Sequence, residues 1–150
     1  MRVGKRMSAV CPFCSIASGK AQASIVYEDA NVVAFMDLNP ANFGHTLVVP
    51  REHWENIYEV PENVLADLFS VVKRVSSAVK KTVGAEGISI LQLNGRAAGQ
   101  TVTHFHIHII PRFSGDAISK ALGAMMEHHG LKNPEKSDLD EIAKKIRENL

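Results

Sequence analysis

Thr103-His104-Phe105-His106-Ile107-His108-Ile109-Ile110 alternates imidazole and apolar side chains from His104 to Ile109. In an extended chain, successive side chains point to opposite faces. His104, His106 and His108 therefore share one face, and Phe105, Ile107 and Ile109 share the other. At ~3.3 Å per residue, the histidines recur about every 6.6 Å. The apolar face must pack against a core. The histidine face must line something polar, because each imidazole has two ring nitrogens that need partners. Three separately satisfied structural histidines are one reading. A zinc hydrolase is another, since two histidines two apart on a strand can chelate the ion. A catalytic zinc also needs a third ligand and an open position.

Around this stretch the chain carries further extended segments. Residues 24–28, 31–37, 45–49 and 88–93 read as strands, and residues 102–110 as the histidine strand. Pro50 and Pro111 read as strand ends. From Pro61 the period changes: Val64, Leu65, Leu68, Val72, Val75 and Val79 recur at three and four, which predicts one long amphipathic helix stopped at Gly84. After Gly115 the strand signals cease. Asp116 reads as the cap of a helix running to Gly130, and Asn133-Pro134 as a break. Ser137-Asp-Leu-Asp140 reads as the start of a last helix with Leu139, Ile142, Ile146 and Leu150 on one face. The order lacks regular βαβ alternation. An α+β fold follows, with an antiparallel sheet of about five strands and one long helix. The predicted organisation is a flexible segment over 1–10, a domain over 11–113 and a helical extension over 114–150.

Composition narrows the function classes. The 150 residues suit one domain, and 45% hydrophobic content supports a packed core. Seventeen Lys and Arg against 16 Asp and Glu leave a net charge of +1, with no broad footprint for nucleic acid. No apolar run approaches the ~18 residues of a membrane span. The basic start, Met1 to Val10, is interrupted before an apolar stretch forms, so the cytoplasm is the expected address. The two cysteines, in Cys11-Pro-Phe-Cys14, exclude a disulfide scaffold and leave a metal knuckle or a redox pair. A redox motif of the glutaredoxin kind wants a hydrophobic strand before it and a βαβ context after it; neither is present. The Lys80-Lys81 and Lys144-Lys145 pairs read as solvated faces. His128 and His129 read as surface or helix-end residues.

His-Phe-His-Ile-His-Ile-Ile resembles the signature of the histidine-triad superfamily of nucleotide-binding proteins and hydrolases. Cys11-Pro-Phe-Cys, Val26-Tyr-Glu-Asp, Ala34-Phe-Met-Asp37, Gly44-His-Thr-Leu-Val-Val-Pro, His53, Asn94-Gly and Gly99-Gln-Thr-Val stand in the order that family has. The resemblance implies hydrolysis at the α-phosphorus of a purine nucleotide conjugate, releasing a nucleoside monophosphate of the AMP type. It casts His106 as the nucleophile, its tautomer fixed by a nearby backbone carbonyl. His108 and His45 would line the same pocket. His108 favours a hydrolase, since the transferase branch carries Gln there. By the same resemblance Asp37 takes the ribose hydroxyls, and Phe13, Phe35 and Leu38 wall the base. Asn94, Gly99, Gln100 and Thr101 contact phosphate or leaving group, together with His106 and His108. Cys11, Cys14, His53 and His104 would hold a structural Zn2+, and the protein would be a homodimer. The Trp-Pro-Pro-Gly tail of the eukaryotic phosphoramidase branch is absent, and the one Trp is Trp54. Leu93 stands where the diadenosine triphosphate branch has Gln. A zinc-catalysed hydrolase using His104, His106 and His108, or a non-catalytic nucleotide-binding module, are the alternatives.

Overall fold

The computed structural model describes residues 11–126 and 134–150. The expected flexible segment 1–10, His128, His129, Gly130 and Asn133 lie outside the described residues. Five antiparallel strands form one sheet in the order β1-β2-β3-β5-β4: β1 (Ile25–Glu28), β2 (Val32–Met36), β3 (Thr46–Pro50), β4 (Gly87–Leu91) and β5 (Ile107–Arg112). Helix α1 (Pro12–Ala17) precedes the sheet, and α2 (Glu62–Val83) joins β3 to β4. This is the α+β architecture that the period changes predict.

The sheet buries both faces over its centre. Leu68, Val71, Val72, Val75 and Val79 of α2 pack on Val32, Ala34, Val48, Phe105, Ile107 and Ile109. Phe105 is completely buried in that layer; its truncation to Ala would cost about 3–5 kcal/mol. On the other face Val33, Phe35, Leu47 and Val49 meet Cys11, Phe13, Cys14 and Ala17 from α1 and its cap. The alternation of residues 104–109 thus divides as the sequence predicts, with the apolar set under α2.

Pro50 ends β3 as its last paired residue, whereas Pro111 sits inside β5 rather than ending it. Pro50 is opposite Val32, and Pro111 is opposite Ile88. The neighbouring bonds, Arg51 N–H to the Asn31 carbonyl and Glu86 N–H to the Arg112 carbonyl, set the phase of each ladder. Both prolines therefore turn their nitrogen away from that partner, where no ladder donor is required. Their carbonyls take side chains instead: His104 Nε2 donates to the Pro50 oxygen at 2.9 Å, and Asn42 Nδ2 to the Pro111 oxygen at 2.8 Å. The predicted strand over 102–110 also shifts. The ladder starts at Ile107, because pairing with β3 ends at Val48. Upstream, Phe105 N–H donates to the Trp54 carbonyl at 2.6 Å.

Gly84 closes α2 in the left-handed conformation at φ 66°. Gly44 enters β3 at φ 102°, and a Cβ there would lie 3.0 Å from a Val83 methyl carbon.

A first compact unit ends at Asp116, and a second runs from Ala117 to Leu150. The second contains α3 (Ala117–Met126) and α4 (Lys136–Glu148). Ser137 does not cap α4. The helix begins one residue earlier, with extended Glu135 at its cap, and a Lys136–Asp140 ion pair of 2.7 Å spans its first turn. The predicted apolar stripe of Leu139, Ile142, Ile146 and Leu150 is exposed.

Candidate active site and metal cluster

The three histidines share a face but serve two clusters. His104 is completely buried. Its Nε2 donates to the Pro50 carbonyl, so the neutral ring carries its proton there and presents a bare Nδ1 on the other side. That nitrogen lies 3.4 Å from Cys11 Sγ and 3.5 Å from Cys14 Sγ, and His53 Nδ1 lies 3.3 Å from Cys14 Sγ. All four ligand atoms fall within 4.8 Å of one another. Tetrahedral zinc with ordinary Zn–S and Zn–N lengths separates sulfur from nitrogen by ~3.5 Å. Two thiols, two imidazoles and a carbonyl orienting one imidazole fit such an ion. Burial pushes the His104 pKa down to about 4, against the pull of the Pro50 hydrogen bond, so the ring is neutral near pH 7.

The cysteines are placed by a short helix. Cys11 caps α1, and Pro12 occupies its first turn. Cys14 follows one turn later, on the same side as Cys11. Between them, Phe13 turns the other way and meets His106 edge-on, with ring centroids 5.1 Å apart.

At the second cluster, His106 Nδ1 donates to the carbonyl of His104 at 2.7 Å. The proton is thereby fixed on Nδ1, and Nε2 keeps its lone pair. Burial lowers the His106 pKa; the hydrogen bond and Asp37 oppose that shift. His45 Nδ1 accepts the Ala41 N–H at 3.0 Å, so its proton sits on Nε2. That Nε2 lies 2.8 Å from His108 Nδ1 and 3.5 Å from an Asp37 carboxylate oxygen. His108 therefore accepts at Nδ1 and carries its own proton on Nε2. Burial lowers the pKa of His45 and takes that of His108 to about 4, with His106 and His45 adding to the latter shift.

Asp37, His45 and His108 are also close enough to be considered as metal ligands. Their hydrogen bonding argues otherwise: His45 turns an N–H, not a lone pair, toward the group. Among the described residues, His104, His106 and His108 form no common ligand cluster. The arrangement required by the zinc-catalysed alternative is therefore absent there.

A cavity of about 410 Å³ opens beside this second cluster. Phe13, Phe35, Asp37, Leu38, His45, Thr101, His106 and His108, all singled out from the sequence, line it. Leu38 stands at its rim, 88% exposed. Asn94, Gly99 and Gln100 do not line it. Gln100 accepts from Gly95 N–H and donates to the Glu55 and Val102 carbonyls, while Asn94 accepts from Ile57 N–H. Their amides brace the loop before the histidines, and Gly99, at φ 92°, turns it. Ile16, Gln22, Ala23 and Val102 are among the eight lining residues that were not candidates from the sequence. Of these four, Ile16 carries a readable signal, one helical turn after Phe13.

A five-stranded antiparallel sheet presenting paired histidine clusters on one face defines the class of nucleotide-handling histidine-triad proteins. The HIT domain family model matches residues 18–115, and the chain belongs to the HIT family. An uncharacterised HIT-like protein of Methanocaldococcus jannaschii is 44% identical over 92% of this chain and 99% of its own length. Adenylylsulfatase HINT3 of Arabidopsis thaliana is 39% identical over 72% of this chain and 55% of its own. The adenosine 5′-monophosphoramidase of Candida albicans is 35% identical over 69% and 71%. A HIT-family crystal structure from Bacillus subtilis superimposes with a TM-score of 0.80 at 33% identity, covering 94% of this chain and 97% of that one. A Zn-bound histidine-triad protein from Mycobacterium smegmatis gives 0.68 at 33% identity, covering 86% of each chain.

Proposed function

We propose that this protein hydrolyses purine nucleotide conjugates at the α-phosphorus, through a covalent nucleotidyl-His106 intermediate, and releases a nucleoside monophosphate. Adenosine phosphoramidates, aminoacyl-adenylates and dinucleoside polyphosphates are the candidate substrates. The supporting observation is the 2.7 Å bond from His106 Nδ1 to the His104 carbonyl, which leaves Nε2 as the lone-pair nitrogen of a ring that lines the cavity. In the first step Nε2 forms a bond to phosphorus as the bond to the leaving group breaks. His108, its proton held on Nε2 by the His45 contact, donates a hydrogen bond to the departing atom, which takes its proton from solvent. In the second step water bonds to phosphorus, the N–P bond breaks, and the proton of water passes to solvent. Asp37 accepts the ribose hydroxyls, and Phe13, Ile16 and Phe35 wall the base.

The cluster of Cys11, Cys14, His53 and His104 holds zinc in this reading. When bound, the ion supplies a four-ligand cross-link and no open position. Joining α1 to His53 and His104, the site keeps Phe13 against His106. The protein works as a cytoplasmic homodimer here, with the exposed edge strand β4, where Ile90 and Leu91 are more than 40% exposed, as the joining surface. No described helix is long and apolar enough to cross a membrane.

The test is a turnover panel of adenosine phosphoramidates, adenylyl sulfate and dinucleoside polyphosphates, with acid-free trapping of the intermediate. Nucleoside monophosphate release and a mass increment on the peptide containing His106 are expected. Binding of the monophosphate without turnover of any substrate would assign the chain to the non-catalytic alternative.

A further inference from the structure

The cavity beside the histidines has a larger neighbour. A second cavity of about 720 Å³ adjoins it, and Ile16, Gln22, Ala23 and Leu38 line both. The histidines, Asp37 and Thr101 line only the first. The shared residues therefore mark the junction of the two spaces, on the side of the first that opens into a space the histidines do not line. Three of them are apolar and cannot tell one base from another. Gln22 is the polar member, and its side chain has no hydrogen-bond partner among the described residues.

We infer that Gln22 reads the edge of the bound base and that the adjoining cavity receives the base's exocyclic substituents; the inference rests on the nucleotide reading above. A carboxamide offers a donor and an acceptor side by side. Adenine presents the complementary pair at its 6-amino group and the neighbouring ring nitrogen, a bidentate match for Gln. The charged groups of the second cavity do not compete for this role. Arg51 donates through Nε to the Asp29 carbonyl and through Nη2 to Glu28. Its charge is thereby matched within the wall, and the space suits a neutral polar edge better than an anion. The position of Gln22 is exposed, so substitution there leaves the core untouched.

The experiment compares AMP with purine riboside 5′-monophosphate, which keeps sugar, phosphate and ring but lacks the 6-amino group. Dissociation constants are measured by calorimetry for the parent protein and for Gln22→Leu. The parent should bind AMP about tenfold more tightly than the des-amino nucleotide, the low-to-middle range of one bidentate base contact. In Gln22→Leu the two constants should converge to within about twofold. The converging constant should be that of the des-amino nucleotide in the parent. Equal affinities in the parent, or a preference that survives in Gln22→Leu, would overturn the assignment while leaving nucleotide binding intact. Failure of both nucleotides to bind the parent would overturn the nucleotide reading itself, and this inference with it.

Discussion

His104 and His106 lie two residues apart, point to the same face and are both buried, yet they offer opposite chemistry. Each ring gives one proton to a main-chain carbonyl. His104 gives it through Nε2, to Pro50, and turns Nδ1 toward two thiols. His106 gives it through Nδ1, to His104, and leaves Nε2 free. His45, in the second cluster, has its Nδ1 filled by a backbone N–H and shows a proton where His104 shows a lone pair. The lesson is that the far nitrogen's partner decides whether an imidazole suits a metal, a nucleophile or a donor. The same strand face can therefore serve a closed structural ion and an open reaction site without one capturing the other's ligands.

The largest break of this comparison is at His106. His106→Ala should lower turnover by about four orders of magnitude, since an essential nucleophile has no substitute in the pocket. Binding of nucleoside monophosphate should stay within a few-fold, and metal content should not change. Steady-state rates, calorimetry and metal analysis on one preparation check all three. A variant retaining a tenth of the parent rate would refute the covalent mechanism.

The opposite cluster should fail in the opposite way. Protein purified without chelator should carry about one zinc per chain. Cys11→Ser should remove most of it and lower the thermal midpoint by on the order of 10 °C, because the ion joins segments far apart in the chain. The rate at a temperature where the variant is folded should fall less than tenfold. Loss of all activity with an unchanged midpoint would instead place the metal in the chemistry.

Much of this division was readable in the sequence, and the unreadable part has a physical cause. Alternation separated Phe105, Ile107 and Ile109 from the histidines because side-chain direction follows from local backbone geometry. The α2 face followed from its period for the same reason. Strand limits were less legible: Pro111 looks like a stop, and only the phase of the ladder reveals that its missing N–H group is not needed there. The cavity wall was least legible. Gln22, Ala23 and Val102 join it through tertiary placement alone, while Gln100 and Asn94 brace the loop instead. A polar residue near a motif announces hydrogen bonding, and its partner is a property of the fold.

Asp37 sharpens the comparison further, because a carboxylate belongs to only one of the two clusters. One of its oxygens accepts the Asn39 N–H at 2.8 Å, and an amide oxygen can keep that bond. Asp37→Asn should therefore fold normally. It should weaken ribonucleotide binding about tenfold, through loss of a charge-assisted acceptor for vicinal hydroxyls. Binding of the 2′-deoxynucleotide should change less than the ribonucleotide. Equal losses for both sugars, measured by competition calorimetry, would make the residue a partner of His45 and nothing more.

The smallest expected effect is in the pH dependence of stability. His108 faces His45, His106 and Asp37, and its pKa lies at about 4 against 6.5 for the free side chain, chiefly from burial. The unfolded chain therefore takes up a proton as pH falls through 6.5, while the folded chain refuses it until about pH 4. Stability carried by the neutral ring is complete above 6.5 and drains away between those two values. Gln in its place has no proton to gain and can still accept from His45. His108→Gln should thus lose less stability than the parent between pH 7.5 and pH 5, by an amount on the order of 1 kcal/mol. Metal loss in acid affects both proteins alike, since His108 is outside the thiol cluster, so the difference between them isolates this ring. Denaturant midpoints at the two pH values provide the measurement. Parallel losses in the two proteins would mean that His108 is protonated as readily in the fold as outside it, and its role as a neutral donor would have to be abandoned.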